Sequence, residues 1–321
     1  MNKRVLGSSG VEVSEIGLGC MGMDHAYGPP ADRQEMIQLI QRAIELGCNF
    51  FDTAVVYGEE NETLLGEAVK PYRDQVVIAT KFGIVGQEVE GNRLENLLDS
   101  RPQSIKAQLE ESLKRLKVDC IDLYYQHRID PKVEPEIVAQ TMKELILDGK
   151  IKAWGLSEAP IDYIRRAHAV CPVAALENQY SMMWRKPELE LFQLCEELGI
   201  SFVAYSPLGN GFLSGKYTKE TVFRDGDFRN FMGRFKPEVM NQNQALLELI
   251  EQVAKSKQAT PAQIVLAWEL AQKPYIIPIP GTTKMHRLEE NLRAGDIRLT
   301  AEELNDLNNI LSKLEIDETH F

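Results

Sequence analysis

Four side chains in this sequence have the types, and the places along the chain, for moving a proton onto an oxygen atom: Asp52, Tyr57, Lys81 and His127. Asp52, Lys81 and His127 stand at the ends of β-rich apolar runs, NFFDTA (49–54), VVIATKFG (76–83) and IDLYYQH (121–127), and Tyr57 follows Asp52 by five residues. A phenol with an ordinary pKa of ~10 donates poorly at neutral pH and needs a neighbour that favours its anion. An ammonium within ~4–6 Å does so, and Lys81 is the expected neighbour, with Asp52 pairing with it from the adjacent strand. His127, one strand further round, can hydrogen-bond a substrate oxygen and orient it. Singly, each has a plainer use as an architectural ion pair or a satisfied polar residue. Their joint occurrence at successive strand ends is the informative observation.

The elements that must bring those ends together follow from hydrophobic patterning. Strands are expected at 15–19, 49–54, 76–83, 121–127, 151–157, 174–181, 201–208 and 275–281. Several are nearly continuous apolar runs, as parallel strands covered on both faces require, and helix-period segments follow them. Among these are ADRQEMIQLIQRAIELG, PQSIKAQLEESLKRLK with Pro102 in its first turn, and TPAQIVLAWELAQ with Thr260 as N-cap and Pro261 after it. Eight such units, with no GxGxxG after the first strand and no break into halves, predict a closed (β/α)8 TIM barrel, one domain over residues 1–321. Its additions are an N-terminal β-hairpin, KRVLG with VEVSEI around Ser-Ser-Gly, and a C-terminal helix at 300–314 opened by a Thr300/Glu303 capping box. Residues 210–242 lack a sustained period and read as a long loop after the seventh strand, a setting that is usually functional.

Composition narrows the partners. The 321 residues are 44% hydrophobic and 26% charged, an ordinary globular balance. The net charge of −12 is spread out, with no Lys/Arg cluster to track a phosphate backbone, so nucleic acid is not an expected partner. No run approaches the ~20 apolar residues of a membrane span, and MNKRVLGSSG has no signal-peptide core, so a cytoplasmic location is expected. Cys20, Cys48, Cys120, Cys171 and Cys195 are odd in number and never form CxxC, which argues for packed thiols over disulfides or a metal site. No obligate protein partner is inferred.

GLGCMGM (17–23), FDTAVVYG (51–58), ATKFG (79–83), YYQHR (124–128), GLSE (155–158), ENQYS (177–181), AYSPLGNGFLSGKY (204–217) and IPGTTKMHRLEEN (279–291) together resemble the aldo-keto reductase family, in the family's order and over nearly the whole chain. The likeness is greatest to bacterial and plant members that reduce aldehydes and are kin to potassium-channel β subunits. It implies a barrel that binds NADPH across its mouth and passes hydride from nicotinamide C4 to a carbonyl carbon. Tyr57 would protonate the oxygen, Asp52 and Lys81 would tune it, and His127 would help to place the carbonyl.

The resemblance also assigns cofactor positions. Ser157 and Gln179 offer hydrogen bonds where the family holds the nicotinamide carboxamide, and Tyr205 offers a ring for stacking. Ser206, Leu208, Gly209, Phe212 and Gly215 resemble the segment that folds over the cofactor, and Gly19, Cys20 and Met21 look like its opposite wall. Gly281, Thr282, Thr283 and Lys284 open a helix whose free N–H groups attract an anion. Lys284 and Arg287, three apart on one helical face, would reach a 2′-phosphate, which favours NADPH over NADH, and Glu290 and Asn291 would face the adenine. Two positions depart from the pattern: Glu158, where many relatives carry an Asn able to donate as well as accept, and Val55, where a polar residue is common.

The expected activity is therefore NADPH-dependent reduction of aldehydes, with ketones as further substrates. Met21, Met23, Val55, Val56, Trp184 and the Phe-rich loop point to an apolar pocket for aromatic or medium-chain aldehydes. Two alternatives use the same residues: a redox-sensing module that holds the cofactor tightly, and a Schiff-base aldolase with Lys81 as nucleophile.

Overall fold

The structure is a computed structural model and describes residues 1–90 and 93–319. It opens with the expected hairpin, β1 (Lys3–Val5) antiparallel to β2 (Glu12–Ser14). There follow β3 (Leu18–Gly19), β4 (Phe50–Asp52) and β5 (Val77–Phe82), then a second hairpin, β6 (Ile84–Glu90) with β7 (Arg93–Leu98). The chain continues through β8 (Ile121–Gln126), β9 (Ile151–Ser157), β10 (Ala175–Gln179), β11 (Ser201–Tyr205) and β12 (Ile276–Pro278).

Strands β3, β4, β5, β8, β9, β10, β11 and β12 form one parallel sheet in sequential order. A parallel bridge between Gly19 and Gly281 closes it, with the Gly17 N–H donating to Pro278 O at 2.9 Å. A side chain at Gly19 would place its Cβ 2.9 Å from Ile279 O, so the seam needs glycine. The result is the (β/α)8 TIM barrel. Helices α1 (Arg33–Glu45), α2 (Glu59–Val69), α3 (Pro102–Leu116), α4 (Pro135–Leu147), α5 (Ile161–Val170) and α6 (Leu191–Leu198) cover the first six strands. Between β11 and β12 lie α7 (Pro237–Gln242), α8 (Gln244–Lys257) and α9 (Pro261–Gln272), followed by α10 (Met285–Leu292) and the appended α11 (Ala301–Leu311). Thr260 and Thr300 both make complete capping boxes.

Two expectations are refined. The stretch 210–242 is not wholly irregular: it carries short 3-10 turns at Gly209–Ser214, Phe228–Phe231 and Gly233–Phe235 and ends in α7. The β6–β7 hairpin falls where no element was expected, because its polar residues carry little hydrophobic alternation and its cross-strand backbone bonds hold it together.

Two apolar layers fill the barrel. An outer one joins strands to helices, and an inner one contains Phe50, Val77, Ala79, Leu123, Tyr125, Ala153, Ala175, Val203, Ile277 and Ile279, floored by Leu6 and Val13 of the hairpin. Strand residues alternate between the layers, since successive side chains point to opposite faces. Counting by twos from the inner residues toward the C-terminal ends reaches Asp52, Lys81, His127, Ser157, Glu177, Gln179 and Tyr205.

Candidate active site

Those inward positions converge. The Lys81 Nζ donates to Asp52 Oδ1 at 2.5 Å and to Thr53 O at 3.0 Å, and it lies 3.3 Å from Glu177 Oε1. All three ionisable groups are buried. The strand carrying Lys81 is fixed from outside as well: Thr80 donates to Glu62 Oε1 at 2.6 Å, and Arg115 pairs with the other Glu62 oxygen at 2.6 Å. Sequence reasoning missed Glu177. Its alternation with Ala175 and Gln179 was the available signal, but only the closed barrel sets it opposite Lys81.

Tyr57 sits in a single 3-10 turn, Val55–Tyr57, half-buried above this cluster. Its ring centroid is 5.6 Å from Lys81 Nζ, with His127 edge-on at 6.0 Å and His25 stacked at 5.8 Å. His25 was not anticipated; it comes from the loop after β3. Asp52, Tyr57, Lys81 and His127 are therefore brought together.

The electrostatics correct one expectation. Burial raises the Tyr57 phenol above its ordinary value, and the opposing pull of Lys81 does not overcome it. Lys81 remains an ammonium, because Asp52 and Glu177 outweigh its desolvation. Burial, with help from Lys81 and Arg128, holds His127 well below the usual imidazole range, so it is neutral at pH 7. Burial pushes Glu177 up to about 8.

The positions expected to hold a cofactor divide into three groups. On the floor, Ser157 Oγ accepts from Arg128 Nη1 at 3.1 Å, while the buried Gln179 Nε2 has no partner among the described residues. Glu158, at φ 51°, accepts from the Gln179 N–H at 2.9 Å, and its charge lies close enough to Tyr205 to raise that phenol further. At the seam, Gly281 and the half-buried Thr282 and Thr283 precede α10, whose N-terminus lacks a side-chain cap bond. Lys284 is the N-cap residue itself, in extended backbone, and so does not share a helical face with Arg287 as expected. Neither makes an ion pair among the described residues. Glu290 is half-buried and Asn291 buried.

The third group corrects side-chain roles. Cys20 is buried in the outer core, its Sγ donating to Leu18 O at 3.6 Å, so it lines nothing; its backbone N–H donates to Asp52 O at 2.8 Å. Phe212 is likewise in the core, edge-on to Phe235, and Met23 is fully buried, while Met21, Ser206 and Leu208 stay half-buried. Gly209, Gly211 and Gly215 have positive φ, so this backbone needs glycine to make its turns. The loop is tied across the mouth: Tyr27 bridges Asp227, Asn210 Nδ2 donates to the Tyr27 hydroxyl at 2.9 Å, and the buried Arg234 donates to Asn210 Oδ1 at 3.0 Å.

A closed parallel barrel with an ammonium, a phenol and a neutral imidazole converging at the C-terminal strand ends defines a class of oxidoreductase acting on carbonyl groups. The comparisons give the family. The aldo/keto reductase family model matches residues 15–312. A probable aldo-keto reductase of Glycine max is 44% identical over 304 residues, covering 94% of this chain and 86% of that protein. The glycerol dehydrogenase of Gluconobacter oxydans superposes with a TM-score of 0.87 at 26% identity, covering 98% of this chain and 96% of that one. An aldo-keto reductase of Bacillus halodurans in its holo form gives a TM-score of 0.79 at 27% identity, covering 99% and 98%. The chain belongs to the aldo/keto reductase family.

Proposed function

We propose that this chain is an NADPH-dependent reductase of small aldehydes, and of some ketones, with Tyr57 as the general acid. The observation that carries the reading is the buried Lys81 ammonium, held by Asp52, beneath a Tyr57 ring flanked by neutral His127. When bound, a reduced nicotinamide supplies the hydride. The raised phenol keeps Tyr57 protonated at neutral pH, and an alkoxide forming beside it is more basic still, so the proton passes to the product. Lys81 then acts on the phenolate left behind, at the moment when charge appears. His127, unable to carry charge itself, donates one hydrogen bond to the carbonyl oxygen and fixes its place.

The cofactor positions fit such a group. The orphaned Gln179 Nε2 suits a carboxamide oxygen, and the open α10 N-terminus with Lys284 and Arg287 suits a phosphate. Ser157 and Tyr205 would complete the nicotinamide pocket, and the segment around Ser206, Leu208, Gly209 and Gly215 would cover the pyrophosphate. Glu158 is engaged by the Gln179 N–H and as a carboxylate cannot donate, which leaves carboxamide donation to Gln179. Among the described residues no helix is long and apolar enough to cross a membrane. A Schiff-base role for Lys81 fits poorly, because that chemistry needs the free amine and two carboxyls hold the ammonium here.

Tyr57→Phe tests the reading. The variant should bind NADPH as the parent does while losing at least about a hundredfold in kcat for aldehyde reduction, the usual scale of a lost general acid. Unchanged turnover would remove Tyr57 from the role. A parent protein that binds NADPH but reduces no member of an aldehyde panel would favour the cofactor-holding module.

A further inference from the structure

The Lys81 ammonium faces two carboxyls where one would neutralise it. Glu177 approaches from β10 and Asp52 from β4, and each has one buried oxygen, Glu177 Oε2 and Asp52 Oδ2, that accepts from no donor among the described residues. Both carboxyls therefore close on one buried ammonium, at 2.5 Å for Asp52 and 3.3 Å for Glu177. Lys81 supplies one positive charge, which balances one carboxylate and leaves the other to hold a proton in this buried site. Two buried negative charges around the same ammonium would also repel in a low-dielectric interior, as in other carboxyl pairs that share a proton. The cluster is therefore neutral when the shared proton is present and carries one negative charge when it is lost.

We propose that Glu177 is a positioning residue of the reductase site, which shares one proton with Asp52 around Lys81, and that loss of this proton sets the alkaline limit of carbonyl reduction. The inference rests on Tyr57 as the acid. The groups facing Glu177 are Asp52 from β4, Lys81 from β5, Tyr57 from its turn, Tyr125 from β8 and Tyr205 from β11. The three phenols are all raised by burial, so the carboxyl pair is the first of this set to lose a proton as pH rises from neutral. Its added negative charge disfavours the Tyr57 phenolate, because Glu177 acts on that phenol against Lys81. Proton donation to product then becomes harder although Tyr57 itself is still protonated. The fall should centre near the value of about 8 to which Glu177 is raised.

Glu177→Gln tests this, because the amide keeps an acceptor for Lys81 and a donor for Asp52 but cannot ionise. The parent kcat should fall as pH rises through the Glu177 value, and in Glu177→Gln that limb should move up by at least about one pH unit, with some loss of kcat at neutral pH. Infrared difference spectra on protein without substrate give a second readout. A protonated-carboxyl stretch present at pH 7 and bleached at higher pH should be missing from Glu177→Gln. The proposal is overturned by an alkaline limb identical in both proteins, by a parent without such a limb, or by a carboxyl band unchanged in the variant. A change confined to NADPH affinity would instead assign Glu177 to the cofactor and overturn it too. Failure of the Tyr57→Phe test would remove the underlying reductase reading; its success beside an unmoved limb would sink only the role of Glu177.

Discussion

At the scale of single residues, the site is an exchange of one buried charge among several partners. Removing one member of a buried ion pair leaves the others uncompensated, at about 3–5 kcal/mol. Lys81→Met should therefore destabilise the fold as well as abolish turnover, since Asp52 and Glu177 would face each other with no cation. Both carboxyls are raised by burial, so the loss should be greatest at alkaline pH and shrink toward pH 5 as they take up protons. Urea midpoints of parent and variant at pH 5 and pH 9 measure this; a gap independent of pH would show that the carboxyls do not depend on Lys81. Asp52, Tyr57, Lys81 and His127 were legible in the sequence because each ends an apolar run or follows one closely. Glu177 was not, because a carboxylate in a strand reads as solvent-facing until its opposite strand is known.

At the scale of elements, the strand ends and helix starts do different work. Strand ends supply fixed inward side chains, and α10 supplies an N-terminus without a side-chain cap bond beside two cations that have no carboxylate partner among the described residues. Each charge-assisted hydrogen bond to a phosphate contributes about 1.5–3 kcal/mol, or roughly ten- to a hundredfold in affinity. Lys284→Ala combined with Arg287→Ala should accordingly weaken NADPH far more than NADH, which lacks the 2′-phosphate. Equal losses in fluorescence titrations with the two dinucleotides would remove that assignment. The helix boundaries announced by Pro102, Thr260 and Thr300 matched the structure because capping is local chemistry. Lys284 did not behave as periodicity suggested, because the turn from β12 holds it extended at the cap.

At the scale of the whole molecule, one buried group stands outside any mechanism. Glu269 on α9 is fully buried, neither carboxylate oxygen has a partner among the described residues, and burial holds its acid well above the usual carboxylate range. The folded state keeps it protonated, whereas the unfolded chain ionises near 4.5. Its contribution is thus neutral below that value, and stability is lost as pH rises above it, by about 1.4 kcal/mol per pH unit until the folded group ionises. Glu269→Leu, of similar size and without charge, should raise the urea midpoint, and more at pH 8 than at pH 5. An equal gain at both pH values would mean that Glu269 ionises freely in the folded protein.

The sequence by itself determined what depends on neighbours along the chain. Strand and helix alternation, the N-terminal hairpin, the caps and the placing of Asp52, Lys81 and His127 at strand ends are all set by periods of two and 3.6 and by short-range hydrogen bonds. Only the tertiary structure decided what depends on closure of the barrel. The Gly19–Gly281 seam brings strands separated by some 260 residues of chain into one ring, and that ring turns Glu177 toward Lys81, His25 onto Tyr57 and Glu158 onto Tyr205. Closure also desolvates the half-buried Tyr57, and that desolvation outweighs the ammonium and reverses the direction expected from pairing alone. Desolvation depends on every atom packed around a group, and no spacing along the chain reports it.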